Sequence, residues 1–310
     1  MNLYSHIENW PLPPSPLLRY IRPMAKLYRF SNFHTHCSLD DGMGELEDYV
    51  KEAISQGFSA LGFSCHTPGK LQDVWHMKNE DFPYYIEEIN RLKILYGKEI
   101  ELYIGLELDY LEDTEELVGN EFLEHLDFTI ASLHMMRHAK SDQYLTIDGP
   151  MDNFGGDIKK FAAHYFSLQE RMIESYSFDI LGHCDLIKKR NSHHQFFDPE
   201  APWYQEMTLN FLERIAPKGV RLEISTGGIA RNSIEETYPS PEMVKRCAEL
   251  KIPLTLNSDA HYYPHIAHFF PEALQLLKEV GYQEVDVLTQ GEWLATPIVW
   301  YTTKRLFYVL

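Results

Sequence analysis

The chain has 310 residues, 44% of them hydrophobic and 24% charged, and a formal net charge of −18. That length accommodates one large α/β domain with a sizeable core, and the composition is ordinary for a globular protein. The acidic balance argues against a general nucleic-acid or membrane surface, which needs a basic stripe.

In chain order, residues 1–28 carry several prolines and lack the continuous apolar stretch of a signal peptide, so an N-terminal arm is expected there. From about residue 27 to residue 297, short apolar runs alternate with amphipathic helical stretches. GELEDYVKEAISQG places Leu46, Tyr49, Val50, Ala53 and Ile54 on one stripe, with Gly57 as its stop. PYYIEEINRLKILYG carries Tyr85, Ile86, Ile89 and Leu92, and the stretch 157–176 carries Phe161, Tyr165, Leu168 and Met172. Two later helices, PEMVKRCAEL and PEALQLLKEVG, start with proline in the first turn. Repeated strand–helix alternation implies a parallel sheet, and closing it into a barrel puts functional residues at the C-terminal strand ends. Residues 188–203 read as a loop near the site, and residues 299–310 as a C-terminal tail. No run of apolar residues is long enough to cross a membrane, and with no targeting signal a cytoplasmic location is expected.

The apolar runs end in a recurring set of residues: His34 and His36 in NFHTHCSLDDG, His66 in ALGFSCHTP, and Glu107 in LYIGLELDY. His134 follows in DFTIASLHMM, His183 in FDILGHCDLI, and Asp259 with His261 in PLTLNSDAH. Side chains two apart on a strand share a face, so His34 and His36 offer two nitrogens to one metal ion, and Asp259 with His261 repeat the spacing. Glu107 alternates with Leu102, Ile104, Leu106 and Leu108, so its carboxylate points away from that apolar face and is free to bridge two ions. Repeated along the chain, this arrangement describes a multi-metal hydrolase site. Cys37, Cys65, Cys184 and Cys247 form no CxxC pair, which excludes a zinc ribbon or thioredoxin-type motif; a reduced chain with buried cysteines is expected. No GxSxG elbow, P-loop or GxGxxG in a strand–turn–helix setting is present.

HTHCSLDDGMG, FSCHTP, GLELDY, FDILGHCDLIKK, LEISTGG, ETYPSPEM and LNSDAH together resemble the polymerase-and-histidinol-phosphatase (PHP) family of metal-dependent phosphoesterases, and most closely its histidinol-phosphatase branch. The resemblance covers roughly residues 31–298, most of a domain expected over residues 29–298. It implies a distorted seven-stranded (β/α)7 TIM-like barrel holding two or three divalent ions, with zinc, manganese or iron as candidates. By that resemblance one ion is bound by His34, His36, Glu107 and Asp259, and a second shares Glu107 and adds His134 and His183. A third takes His66, His261 and a residue of the SLDDG loop, where many family members have histidine; Asp41 is preferred over Asp40. An oxygen ligand there is harder than nitrogen, so the third ion is expected to differ or to bind more loosely. ASLHMMR also departs from the more usual glycine before Ser-x-His.

The implied reaction is attack of metal-activated hydroxide on L-histidinol phosphate, giving L-histidinol and phosphate in histidine biosynthesis. Asp259 and His261 are the catalytic candidates, with His261 or a metal-held water assisting the leaving group. Among Lys188, Lys189, Arg190, Arg231 and Arg137, the phosphate-binding candidates are Arg190 and Arg231, both just beyond strand ends. Asp185 either orients His183 or makes a structural hydrogen bond, and His6, His76, His125, His138, His164, His193, His194, His265 and His268 are expected to lie outside the ligand set. The partner is then a small phosphate ester, with no nucleic acid or membrane. The competing readings are a phosphoesterase for a nucleotide, oligonucleotide or phosphotyrosine, an amidohydrolase, and a metal-binding regulatory or storage protein.

Overall fold

A computed structural model describes residues 30–69, 75–112, 114, 116–141, 143–147, 154–189 and 191–298. The expected arm, the tail and Arg190 lie outside the described residues.

The strands are β1 (Ser31–Asn32), β2 (Ala60–Phe63), β3 (Glu101–Asp109), β4 (Phe128–Ser132), a small hairpin of β5 (Met135–Arg137) and β6 (Tyr144–Thr146), then β7 (Ile180–Leu181), β8 (Leu222–Ser225) and β9 (Leu254–Asn257), and a last hairpin of β10 (Glu284–Thr289) and β11 (Glu292–Pro297). Seven of them form one parallel sheet in the order β1-β2-β3-β4-β7-β8-β9. The sheet curls into a nearly closed barrel. Its seam is made by isolated parallel bridges, Thr35 with Ala260 and Met43 with Tyr262, and His36 N–H donates to the Ala260 carbonyl at 2.9 Å. The Asn257 side chain adds an acceptor for Phe33 N–H at 2.8 Å.

The helices are α1 (Leu46–Ser55), α2 (Phe82–Tyr96), α3 (Asn120–Leu123), α4 (Ile158–Ser175), α5 (Pro202–Ile215), α6 (Gly227–Ala230), α7 (Pro241–Leu250) and α8 (Phe270–Val280). Their ends follow from local chemistry. Glu45 and Asp48 form a capping box at the start of α1, and Gly57, at φ +78°, takes the left-handed turn that ends it. Asp157 caps α4 by accepting from the backbone N–H groups of Lys159 and Lys160. The helices expected from periodicity lie within a few residues of α1, α2, α4, α7 and α8.

Strand β3 shows how the barrel is layered. Leu102, Ile104, Leu106 and Leu108 are buried on one face, while Tyr103, Gly105, Glu107 and Asp109 alternate with them on the other. At the lower level the Phe33 ring lies 6.0 Å from Tyr103, 5.7 Å from Phe128 and 5.1 Å from Trp293. Gly105 is required there, because a Cβ would sit 2.4 Å from the Phe128 ring. The β10–β11 hairpin closes this end: Trp293 Nε1 donates to Asp179 at 3.1 Å, and Arg221 lies over the Trp293 ring and pairs with Asp286 at 2.7 Å. The aromatic floor leaves the opposite end, where Glu107 and Asp109 sit, to polar chemistry.

Candidate metal centre

Every histidine named at a strand end converges on the C-terminal mouth of the barrel, around Glu107. One oxygen of that carboxylate, Oε2, has His34 Nε2 at 3.2 Å, His36 Nε2 at 3.5 Å and His66 Nδ1 at 3.2 Å. The other, Oε1, has His183 Nε2 at 2.9 Å, His134 Nε2 at 3.3 Å and the Ser132 hydroxyl donating at 2.6 Å. Asp259 Oδ1 approaches His36 Nε2 at 3.3 Å and His34 Nε2 at 3.5 Å. Asp41 Oδ1 lies 3.2 Å from His261 Nε2 and 3.8 Å from His66 Nε2.

His34 Nε2, His36 Nε2 and His66 Nδ1 are buried and make no hydrogen bond among the described residues. Orphaned ring nitrogens are costly unless something else uses their lone pairs. Ligands roughly 2 Å from a common ion lie about 3 Å from each other, which matches the spacing around Glu107. His36, Asp41, His66 and His261 form one group of converging ligand atoms; His34, His36 and Asp259 form another, as do His34, Glu107 and His183, and His66, Glu107 and His134. These donor sets of imidazole and carboxylate suit divalent ions.

A rear layer of carboxylates orients the rings. Glu223 lies 2.9 Å from His34 Nδ1 and accepts from His183 N–H at 2.8 Å. Asp40 lies 2.7 Å from His36 Nδ1 and also accepts from the backbone N–H of Cys37 and of His66. Asp109 lies 2.6 Å from His134 Nδ1. Each pairing holds the proton at Nδ1 and leaves Nε2 facing the centre. Asp40 is therefore committed behind the site, whereas Asp41 faces the cluster. Glu223 and Asp109 are not among the site residues expected from the sequence. Asp109 carried a legible signal, because it is two residues after Glu107 on the same strand face.

Charge around the centre is strongly coupled. Burial disfavours the ionised form of Glu107, but His34, His134 and His66 outweigh it and hold the carboxyl well below its ordinary range. Asp259 is likewise lowered, with Arg231 and His34 overcoming burial. Burial lowers His34, His36 and His134, yet Glu223, Asp40 and Glu107 respectively lead the carboxylates that overcome it; His34 and His36 are raised well above their ordinary value and His134 to about 10. At His66 burial prevails and the ring is held neutral.

Asp259 itself adopts φ +49°, in the left-handed region that Asp tolerates better than most residues. Gly227 makes room for it: a Cβ there would lie 2.8 Å from the Asp259 side chain. Arg231 Nη2 donates to Asp259 Oδ2 at 2.6 Å and Nη1 to the Asp259 carbonyl at 2.8 Å. It thus braces Asp259 as well as lining the cavity. Lys188 is buried against Asp185 at 2.8 Å and Glu236, so it is not a cavity cation; Lys189 is. Asp185 accepts from Ser240 N–H at 3.0 Å, which is the structural role and not orientation of His183. His193 and His194 are exposed, and neither they nor His265 and His268 join the cluster. His76, also expected outside the ligand set, is buried and 3.2 Å from Asp109.

A cavity of about 300 Å³ opens onto the centre. Arg231, Lys189 and His261 provide its cationic and imidazole side, and Trp75, Ile147 and Leu186 its apolar side. No helix among the described residues is long and apolar enough to cross a membrane.

A nearly closed parallel barrel with clustered imidazoles and carboxylates at its strand ends defines a metal-dependent hydrolase of the TIM-like class. The PHP domain family matches residues 31–227, and the chain belongs to it. A Deinococcus radiodurans protein named "Probable histidinol-phosphatase" is 31% identical over 252 residues, covering 80% of this chain and 92% of its own. The histidinol-phosphatase of Bacillus subtilis is 25% identical, over 80% of this chain and 98% of its own. Among solved structures, the histidinol phosphate phosphatase of Lactococcus lactis, complexed with zinc, L-histidinol and phosphate, superposes with a TM-score of 0.62 at 20% identity, over 85% of this chain and 98% of that one. A Listeria monocytogenes structure gives a TM-score of 0.69 at 23% identity, over 78% of this chain and 99% of that one.

Proposed function

We propose that this chain is a metal-dependent phosphoric monoester hydrolase that converts L-histidinol phosphate to L-histidinol and phosphate. The observation that carries the reading is the divided environment of Glu107, with His34, His36 and His66 at one oxygen and His134 and His183 at the other. A carboxylate placed this way is suited to bridge two cations. The substrate follows from the relatives named histidinol-phosphatase, which match 80% of the chain, and from the Lactococcus lactis complex.

In this reading His34, His36, Glu107 and Asp259 hold one ion, and Glu107, His134 and His183 a second. His66, His261 and Asp41 hold a third, with zinc, manganese or iron as the candidates. When bound, such ions supply Lewis acidity toward phosphoryl oxygens and an activated water. His261 Nδ1 lies 2.9 Å from Arg231 Nη1, which only donates, and His261 Nε2 faces Asp41 Oδ1 at 3.2 Å. Glu223, Asp40 and Asp109 keep the rings aimed, so little reorganisation accompanies the reaction. Arg231 and Lys189 receive the phosphate, with Arg190 as a further candidate. Trp75, Ile147 and Leu186 exclude water around the organic part. The cavity has the volume of a small-molecule site.

The test is steady-state phosphate release by metal-quantified protein, with L-histidinol phosphate beside an aryl phosphate, a nucleotide and single-stranded DNA. A kcat/KM for L-histidinol phosphate orders of magnitude above the rest is expected. Equal weak rates on all four would remove the substrate assignment and leave a phosphoesterase of other specificity.

A further inference from the structure

We infer that His76 is a positioning residue: through Asp109 it sets the orientation of His134, and it anchors the Trp75 wall of the cavity to the metal centre. The inference rests on the reading of His134 as a metal ligand.

Asp109 is the last residue of β3 and is buried. Its Oδ1 lies 2.6 Å from His134 Nδ1, and its Oδ2 lies 3.2 Å from His76 Nε2. An ionised carboxylate only accepts hydrogen bonds, so both imidazoles donate to it. His134 then directs its Nδ1–H at Asp109 and turns Nε2 toward Glu107 Oε1, 3.3 Å away, and His183 Nε2, 3.2 Å away. His76 carries its proton on Nε2, and its buried Nδ1 has no hydrogen-bond partner among the described residues. The ring therefore accepts an unpaired polar atom in order to give Asp109 a second donor. With one donor a carboxylate can still swing about its Cβ–Cγ bond; with a donor on each oxygen its plane is set, and so is the ring of His134.

The anchor extends into the substrate cavity. The Trp75 ring packs on His76 at a centroid distance of 3.8 Å and meets His66 edge-on at 4.6 Å and His134 at 5.6 Å. Met77 N–H donates to the His66 carbonyl at 3.3 Å and ties the segment to the end of β2. Trp75 lines the cavity and His76 lies behind it, so one short segment shapes the cavity wall and aims a ligand.

The experiment compares His76→Leu, His76→Gln and His134→Ala with the parent. Metal-stripped protein is titrated with Zn²⁺ against a chromophoric chelator, giving the number and affinity of the sites. His76→Leu removes the donor, whereas the Gln side-chain amide offers an N–H at similar reach. His76→Leu is expected to weaken, by on the order of 10–100-fold, the same site that His134→Ala abolishes, and to leave the other sites at parental affinity. His76→Gln is expected to recover most of that loss. Parental affinity at every site in His76→Leu would overturn the inference, and so would a His76→Gln variant no better than His76→Leu. Should His76→Leu fail to fold, His76→Gln decides alone: near-parental affinity supports the role, and a loss beyond about tenfold refutes it. A His134→Ala protein that keeps every site would instead refute the reading of the metal centre.

Discussion

At the scale of single residues, His34, His36 and His134 are each held from behind by a carboxylate that turns Nε2 toward the centre. Glu107 is the residue whose change has the widest effect, since its two oxygens serve two groups of histidines. Glu107→Gln removes the charge while nearly keeping the shape. It is expected to lower bound metal and to reduce phosphate release by at least about 100-fold, with an unchanged far-ultraviolet circular dichroism spectrum; full turnover in this variant would show that the site is misassigned. Carboxylates hold His34, His36 and His134 above their ordinary pKa against the effect of burial. A ligand imidazole must be free of its proton at the coordinating nitrogen, so metal loading displaces protons and affinity rises with pH toward the His134 value of about 10. A weakly buffered titration at about pH 7 should record protons released on metal addition; a proton-neutral titration would contradict the assigned rings. Arg231 illustrates what strand-end position alone does not disclose. Its position suits a phosphate partner, yet its guanidinium also clamps Asp259. Arg231→Ala is therefore expected to raise KM for substrate and to lower metal content together, and an effect on KM alone would show that the clamp is dispensable.

At the scale of elements, β3 was the most legible because its alternation is local: four leucines and isoleucines on one face leave Glu107 and Asp109 on the other. The amphipathic helices were legible for the same reason, through spacing, caps and first-turn prolines. Helix α5 is less legible although it carries a buried stripe of Tyr204, Thr208, Phe211 and Ile215, because the stretch before it reads as loop. The β10–β11 hairpin is not legible either. It breaks the strand–helix repeat, and its signal is confined to Gln290 and Gly291, both at positive φ in a two-residue turn. Two substitutions test elements. Gly227→Ala drives a methyl into Asp259 and is expected to weaken metal binding with little change in fold; unaltered binding would mean that the α6 turn yields freely. Trp293→Ala removes a floor ring, its bond to Asp179 and its stack with Arg221. It is expected to cost about 3 kcal/mol in denaturant unfolding while ligand geometry is retained, and parental stability would show that the hairpin does not brace the barrel.

At the scale of the whole molecule, the barrel brings Glu107 to His183, 76 residues away, and His34 to Glu223, 189 residues away. Those carboxylates and imidazoles are crowded in a buried volume, and ions that bind only the folded chain stabilise it by mass action. Removing metal with a chelator is therefore expected to lower Tm, and re-addition at about 100-fold above Kd to restore about 2.7 kcal/mol. A Tm indifferent to the chelator would mean that the cluster closes on itself without ions.

The sequence by itself determined which residues stand at strand ends, that the sheet is parallel, and which family the motifs resemble, because periodicity, caps and motif spacing are properties of neighbouring residues; closure of the sheet was implied only by that resemblance. The tertiary structure decided how those ends meet. It turned Asp41 toward the cluster and Asp40 behind His36, paired Lys188 with Asp185, braced Asp259 with Arg231, and placed Glu223, Asp109 and His76 behind the rings. Each of those outcomes depends on a hydrogen bond or ion pair whose geometry is set by packing within the closed barrel, and no local pattern of residues encodes it.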